Sequence, residues 1–140
     1  MTHHDRKIRD VMTPSPRTVE SSAPVQEAAK VMRDEGVGAI PIVESGSLVG
    51  IVTDRDIAIN VVAQGKDVST PVGEIASRDL VTVDPEQSLD DALRLMAQHQ
   101  VRRLPVVEED GKPVGIVAQA DIARQADDQK TGEVVEQISK

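Results

Sequence analysis

The chain has 140 residues, enough for one ordinary domain or for two very small units that share a core. Its 24 acids against 16 bases leave a net charge of −8 with no Lys/Arg-rich run, so duplex nucleic acid would be repelled. The absence of cysteine excludes disulfides, thiolate chemistry and Cys-ligated zinc, and the absence of Phe, Tyr and Trp means that the core is aliphatic and no ring stacks on a base.

A hydrophobic share of 39% beside 29% charge is a globular balance rather than a disordered one. No apolar stretch approaches the ~20 residues a membrane helix needs, and the N-terminus has no signal-peptide apolar region. A cytoplasmic protein is expected.

In chain order, His3 and His4 come first, where metal binding would be adventitious. A β-prone piece, Arg17 to Val19, leads to a helix that Pro24 opens, with apolar positions 25, 28, 29 and 32 at helical spacing and Gly36 as its C-cap. "AIPIVE", a loose turn at Ser45 to Ser47, and "LVGIVT" read as a β-hairpin, followed by a helix from about Asp54 to Gln64. Asn60 to Pro71 ends that helix and links onward.

The same order then recurs. Leu80 to Val83 is β-prone, and Ser88 with Asp91 makes a start like a capping box. Positions 89, 92, 93 and 96 carry the apolar stripe, and His99 faces solvent at the helix end. "RLPVVEE", a turn at Asp110 to Lys112 and "PVGIVA" form a second hairpin before a helix from about Gln119 to Ala126. Met12, Met32 and Met96 fall on apolar faces as core filler. Val134, Val135 and Ile138 have helical spacing, so the chain from Thr131 is either a short amphipathic helix or a disordered acidic tail.

This recurrence is a repeat. A shift of 64 residues aligns "TVESSAPVQEAAKVM" with "TVDPEQSLDDALRLM" and "VGAIPIVE" with "VRRLPVVE"; one extra residue then makes the shift 65 between "GIVTDRDIAI" and "GIVAQADIAR". The unit is β-α-β-β-α, repeated over 8–65 and 72–127, with 128–140 as a C-terminal tail. A unit of this size leaves one sheet face open, so the expected fold is α+β, the two repeats packing pseudo-symmetrically through their sheets.

The two copies differ where chemistry concentrates. Thr53 and Asp56 have a hydroxyl and an acid three residues apart, while the second copy has Ala118 and Asp121. Thr-x-x-Asp reads as a helix cap, worth ~1 kcal/mol. It reads equally as a ligand site, because one carboxylate can accept both vicinal hydroxyls of a ribose. Arg102 and Arg103 precede Pro105, and strand alternation sends one of them inward, whereas the first copy offers Gly38 and Ala39.

The order "DVMT", a Pro-centred hydrophobic strand and "GIVTDRDI" resembles the CBS domain, a module that usually occurs in tandem. The chain from about Ile8 to Ala126 is similar to the short, stand-alone two-CBS proteins of bacteria, some of which belong to stress responses. The resemblance implies a regulatory module without enzymatic activity or required cofactor, binding an adenine nucleotide such as AMP or ATP, and acting on a protein partner or on its own assembly. The alternatives are another adenosyl ligand, NAD or S-adenosylmethionine, and a structural or interaction module with empty pockets.

By the same resemblance, Thr53, Asp56 and Ser77 would share a cleft with Val81, Val101 and Arg102, and Arg103 is the alternative cation. Asp121 and Ala118 would share theirs with Thr13, Arg17, Val37 and Gly38. The Thr53/Asp56/Arg102 cleft would bind first and tightest, and a homodimer would form through helix faces carrying Ile57, Val61, Ile122 and Ala123. No nucleic acid, membrane or metal is implied, and no nucleophile–base–orienter set or phosphate loop suggests catalysis.

Overall fold

The structure, a computed structural model, describes residues 6–125. His3, His4 and the segment from Thr131 therefore lie outside the described residues. No helix among the described residues is long and apolar enough to cross a membrane.

The chain forms β1 (Thr13–Pro14), β2 (Val19–Glu20), α1 (Val25–Glu35), β3 (Ala39–Glu44), β4 (Ser47–Thr53), α2 (Asp54–Ile57), α3 (Leu89–His99), β5 (Arg103–Val107) and β6 (Pro113–Ala118). A last helix, α4, is described over 119–125. Two three-stranded sheets result, ordered β2-β3-β4 and β1-β6-β5. The second repeat's β-prone piece shrinks to one parallel bridge, Val83 with Val106.

The apolar stripes set the helix faces. In α1 the buried residues are Val25, Ala28, Val31 and Met32, whereas Ala29 is exposed. The helix is rotated so that the bulkier Val31 takes the place expected for Ala29, since a valine gains more from burial than an alanine. Gly36 ends α1 with φ 66°, a left-handed conformation that costs glycine nothing. The start of α1 has no side-chain cap. Instead its first N–H groups, on Val25 and Gln26, donate to the carbonyls of Thr70 (2.8 Å) and Val68 (3.0 Å) in the segment between the repeats. In that segment the Ser69 N–H donates to the Asp67 carboxylate, which holds that carboxyl below the usual range.

In α3 the pattern inverts. The Ser88 hydroxyl accepts from the Asp91 N–H at 3.1 Å, and the helix ends on Gln100 with φ 56°. The β3–β4 turn is tight rather than loose: Ser45 and Gly46 both have positive φ (51° and 83°), and such a two-residue turn matches the twist of the strands.

α2 does not run on as a regular helix to Gln64. After Ile57 it widens into a π turn over Ala58–Val62, where the Ala63 N–H donates to the Ala58 carbonyl at 2.9 Å. Ile57, Ile59, Val61 and Val62 put four β-branched residues within six positions, which crowds an α turn. Val61 is buried, while Ile59 and Val62 are exposed. The face expected for a dimer is thereby corrected. Val61 and Ile122 are core residues, Ile57 packs against the core, and Ala123 alone of the four is exposed.

Two compact units emerge, and they exchange their opening segments. Of the described residues, one contains 6–14, Val81–Val107 and 114–125; the other contains Ser15–Leu80 and Glu108–Pro113. A 3-10 turn at Ile8–Asp10 buries Ile8 completely in a core with Leu89 and Met96, and β1 then pairs antiparallel with β6, Thr13 opposite Ile116. Its counterpart, Val72–Glu74, buries Val72 in the core with Val25 and Ile42, and Ser77 bridges antiparallel to Ile51. Gly50 and Gly115 permit this approach. A Cβ on Gly50 would lie 3.0 Å from the Ser77 carbonyl oxygen, and one on Gly115 would meet Met12 and lie 3.0 Å from the Thr13 carbonyl oxygen.

Candidate functional site

Within the first unit that carries Thr53, the hairpin and the exchanged segment gather the expected residues. Thr53 ends β4 and caps α2: its hydroxyl accepts from the Asp56 N–H at 3.0 Å, and the Asp56 Oδ2 accepts from the Thr53 N–H at 2.9 Å. The capping box is thus formed, and both residues are half-buried. It occupies one carboxylate oxygen of Asp56 and leaves the other, together with the Thr53 O–H proton, to face a ligand.

Because β3 and β4 are hairpin neighbours, the chain leaving β4 passes the start of β3. The Asp54 N–H donates to the Gly38 carbonyl at 3.0 Å, which sets Val37 and Gly38 beside the head of α2. Val37 is 45% exposed. Ser77 reaches the same strand end through backbone bonds with Ile51 of 3.0 and 2.8 Å, two residues before Thr53. Arg17 belongs to this unit but is ion-paired with Glu35 at 3.1 Å on the surface.

The other unit repeats the arrangement with different chemistry. Thr13 pairs with Ile116, two residues before Ala118. The Gln119 N–H donates to the Arg102 carbonyl at 2.8 Å, so Val101 and Arg102 stand beside the head of α4. Val101 is 38% exposed, as its counterpart Val37 is. Asp121 is half-buried, with Arg124 3.5 Å away. Ala118 offers no hydroxyl. Arg102 and Arg103 are exposed and make no ion pair among the described residues, and Val81 packs against the core of this unit.

The structure thus brings some of the expected residues to a common strand end. Ser77 does join the Thr53 strand, and Thr13 does join the strand leading to Asp121. The residues before the strand prolines bond through their backbone carbonyls to the helix head of their own repeat, Gly38 to the Asp54 N–H and Arg102 to the Gln119 N–H. Sequence reasoning also passed over Asp54 and Gln119, although the 65-residue shift aligns them and displays the change from acid to amide. Among the described residues no group of three His, Cys, Asp or Glu side chains could hold a metal ion.

A β-α-β-β-α unit written twice in one chain defines a tandem-repeat module. The chain belongs to the CBS-domain family, whose profile matches residues 8–63 and 72–128. It is 48% identical over 133 residues to the CBS domain-containing protein YhcV of Bacillus subtilis, covering 94% of each chain. It is 42% identical over 118 residues to Hypoxic response protein 1 of Mycobacterium tuberculosis, covering 83% of this chain and 82% of the other. Among solved structures, Hypoxic Response Protein I with two coordinated zinc ions matches with a TM-score of 0.77 and 40% identity over 85% of this chain and 98% of that one. The CBS domain pair of protein MJ0100, in complex with 5′-methylthioadenosine and S-adenosyl-L-methionine, matches with a TM-score of 0.79 and 31% identity over 89% and 98%. CBSX2 in complex with AMP matches with a TM-score of 0.76 and 28% identity over 89% and 98%.

Proposed function

We propose that this protein is a cytoplasmic regulatory module that binds an adenosyl compound, AMP or ATP among them, and changes its docking on a partner or its own assembly in response. The observation that carries the reading is the pairing of a half-buried acid with an exposed valine in both units, Asp56 with Val37 and Asp121 with Val101. An acid for the ribose hydroxyls beside an aliphatic surface for the base is what an adenosine needs in a chain without aromatic rings. The adenosyl ligands of the MJ0100 pair and CBSX2 support it.

In this reading Thr53, Asp56, Ser77 and Val37 are the ligand-facing residues of one unit. Thr13, Val81, Val101, Arg102, Arg103 and Asp121 are those of the other, and Arg17 contributes only by leaving Glu35. The module regulates rather than catalyses, works as a homodimer, and serves a stress response as the hypoxic relative's name suggests. Equilibrium dialysis of the whole chain against AMP, ATP, NAD and S-adenosylmethionine tests the binding. Saturable uptake of at least one is expected, lost when Asp56 and Asp121 are both changed to Asn. Light scattering tests the assembly, with twice the 15.1 kDa chain mass expected.

A second reading, a structural module with empty sites, is favoured by one observation. Thr53 and Asp56 already satisfy each other through the capping box, so they persist without a ligand. No uptake of any of the four compounds decides for it.

A further inference from the structure

We infer that the two units sort adenosyl ligands by the charge carried at the 5′ position: the Asp121 unit takes phosphorylated compounds, and the Asp56 unit takes those with a neutral or cationic 5′ substituent. The inference rests on the proposed function and deepens it. It starts from the hydrogen bonds that place Gly38 beside Asp54 and Arg102 beside Gln119.

At the head of α2 the charges are Asp54, Arg55 and Asp56, and the facing residue is Gly38. A Cβ at Gly38 would lie 3.2 Å from the Asp54 Oδ2, so this carboxylate fills the space where a longer side chain at 38 would begin. A phosphate there meets the Asp54 carboxylate in addition to the acid common to both units, Asp56 here and Asp121 there; of the cations near it in sequence, Arg55 is exposed on the helix and Arg78 pairs with Glu44. At the head of α4 the same place holds neutral Gln119 opposite Arg102, with Arg103 next in line and neither arginine ion-paired among the described residues. A guanidinium with free donors is suited to a phosphate, and a carboxylate repels one while attracting a sulfonium or ammonium. Both ligand classes occur among the solved neighbours, AMP in one and a thioether and a sulfonium nucleoside in another.

The test uses the whole chain and two probes, AMP and 5′-methylthioadenosine, in calorimetric titrations done singly and in competition. One site for each is expected, without mutual displacement. Arg102→Gln should weaken AMP by about tenfold or more and leave methylthioadenosine within about twofold, with Arg102→Lys recovering part of the loss. Asp121→Asn should remove AMP binding and Asp56→Asn methylthioadenosine binding. Asp54→Gln, which copies the other unit, should raise AMP affinity at its own site. Circular dichroism melting of each variant separates lost binding from lost fold. Mutual displacement of the two probes, or an Arg102→Gln variant that loses both equally, overturns the sorting while leaving adenosyl binding intact. Failure of the wild-type chain to bind either probe overturns the proposed function itself, and the sorting with it.

Discussion

Repeat one starts its first helix with no side-chain cap and ends it on glycine, while repeat two starts the matching helix on Ser88 and ends it on Gln100. At the second helix the assignment crosses over. Repeat one has the Thr53–Asp56 box, and repeat two has Ala118 and an Asp121 that pairs with Arg124 instead. Both repeats nevertheless build a hairpin flanked on each side, although the flank that is a strand in one, β2 on β3 or β1 on β6, is a single bridge in the other, Val83 with Val106 or Ser77 with Ile51. What the comparison teaches is that caps are exchangeable parts: where α1 has no side chain to cap it, the carbonyls of Val68 and Thr70 do the work. The charges near the acids differ as well: Arg17 of repeat one is held by Glu35, whereas Arg102 of repeat two makes no ion pair among the described residues.

The deepest test of the equivalence lies in the exchanged segments. Ile8→Ala and Val72→Ala should both destabilise the protein; for Ile8 the expected cost is about 2–5 kcal/mol, as for any fully buried Ile reduced to Ala. Urea denaturation measures it, and an Ile8→Ala loss below about 1 kcal/mol would mean that the second core closes without the opening segment. Next, Gly50→Ala should cost about 1–3 kcal/mol, because the added methyl meets backbone at Ser77 and the Ala76 Cβ at 3.2 Å. Gly115→Ala meets the Thr13 carbonyl oxygen at the same 3.0 Å and the Met12 side chain besides, so a loss at least as large is expected there, read as the difference in melting temperature between the two variants.

Smaller effects sharpen the comparison at the caps. Thr53→Ala should cost about 1 kcal/mol in chemical denaturation, and Ala118→Thr should gain a comparable amount if Asp121 leaves Arg124 to complete the box. No gain from Ala118→Thr would show that the two helix starts differ in backbone as well as in side chain. Smallest of all, Gln100→Gly should stabilise by about 0.5–1 kcal/mol by removing a side chain from a left-handed position, whereas Gly36→Gln should lose a similar amount. Thermal melting resolves both.

Most of this fold was legible because it was written twice. The 64-residue shift, the apolar stripes and the Gly36 cap located α1 to α4 and both hairpins but not the 3-10 turns at Ile8–Asp10 and Val72–Glu74, and Ser88 with Asp91 capped α3 as expected. The π turn after Ile57 was not legible, since helical spacing of apolar residues is compatible with either a regular or a widened turn. The same ambiguity placed Val61 and Ile122 on an outer face when they are core. Of the site, the Thr53–Asp56 pairing was plain from the three-residue interval. The partner of Arg102 was not, because it depends on which strand start a helix head passes, a fact of hairpin geometry that no local spacing encodes.

The exchange of opening segments also governs the order in which the chain can become stable. Thr13 waits for Ile116, about a hundred residues downstream, so the contact that seats the first segment has one of the largest sequence separations the fold contains. At a synthesis rate of about 5–20 residues per second that wait lasts several seconds, during which Ile8 and Met12 are made but not covered. Repeat one is in turn incomplete until Val72 and Ser77 arrive. Neither repeat can therefore finish alone. The core of repeat one closes once Val72 and Ile75 have emerged, whereas that of repeat two must join Ile8 to Val117 and Ile122 at the far end of the chain.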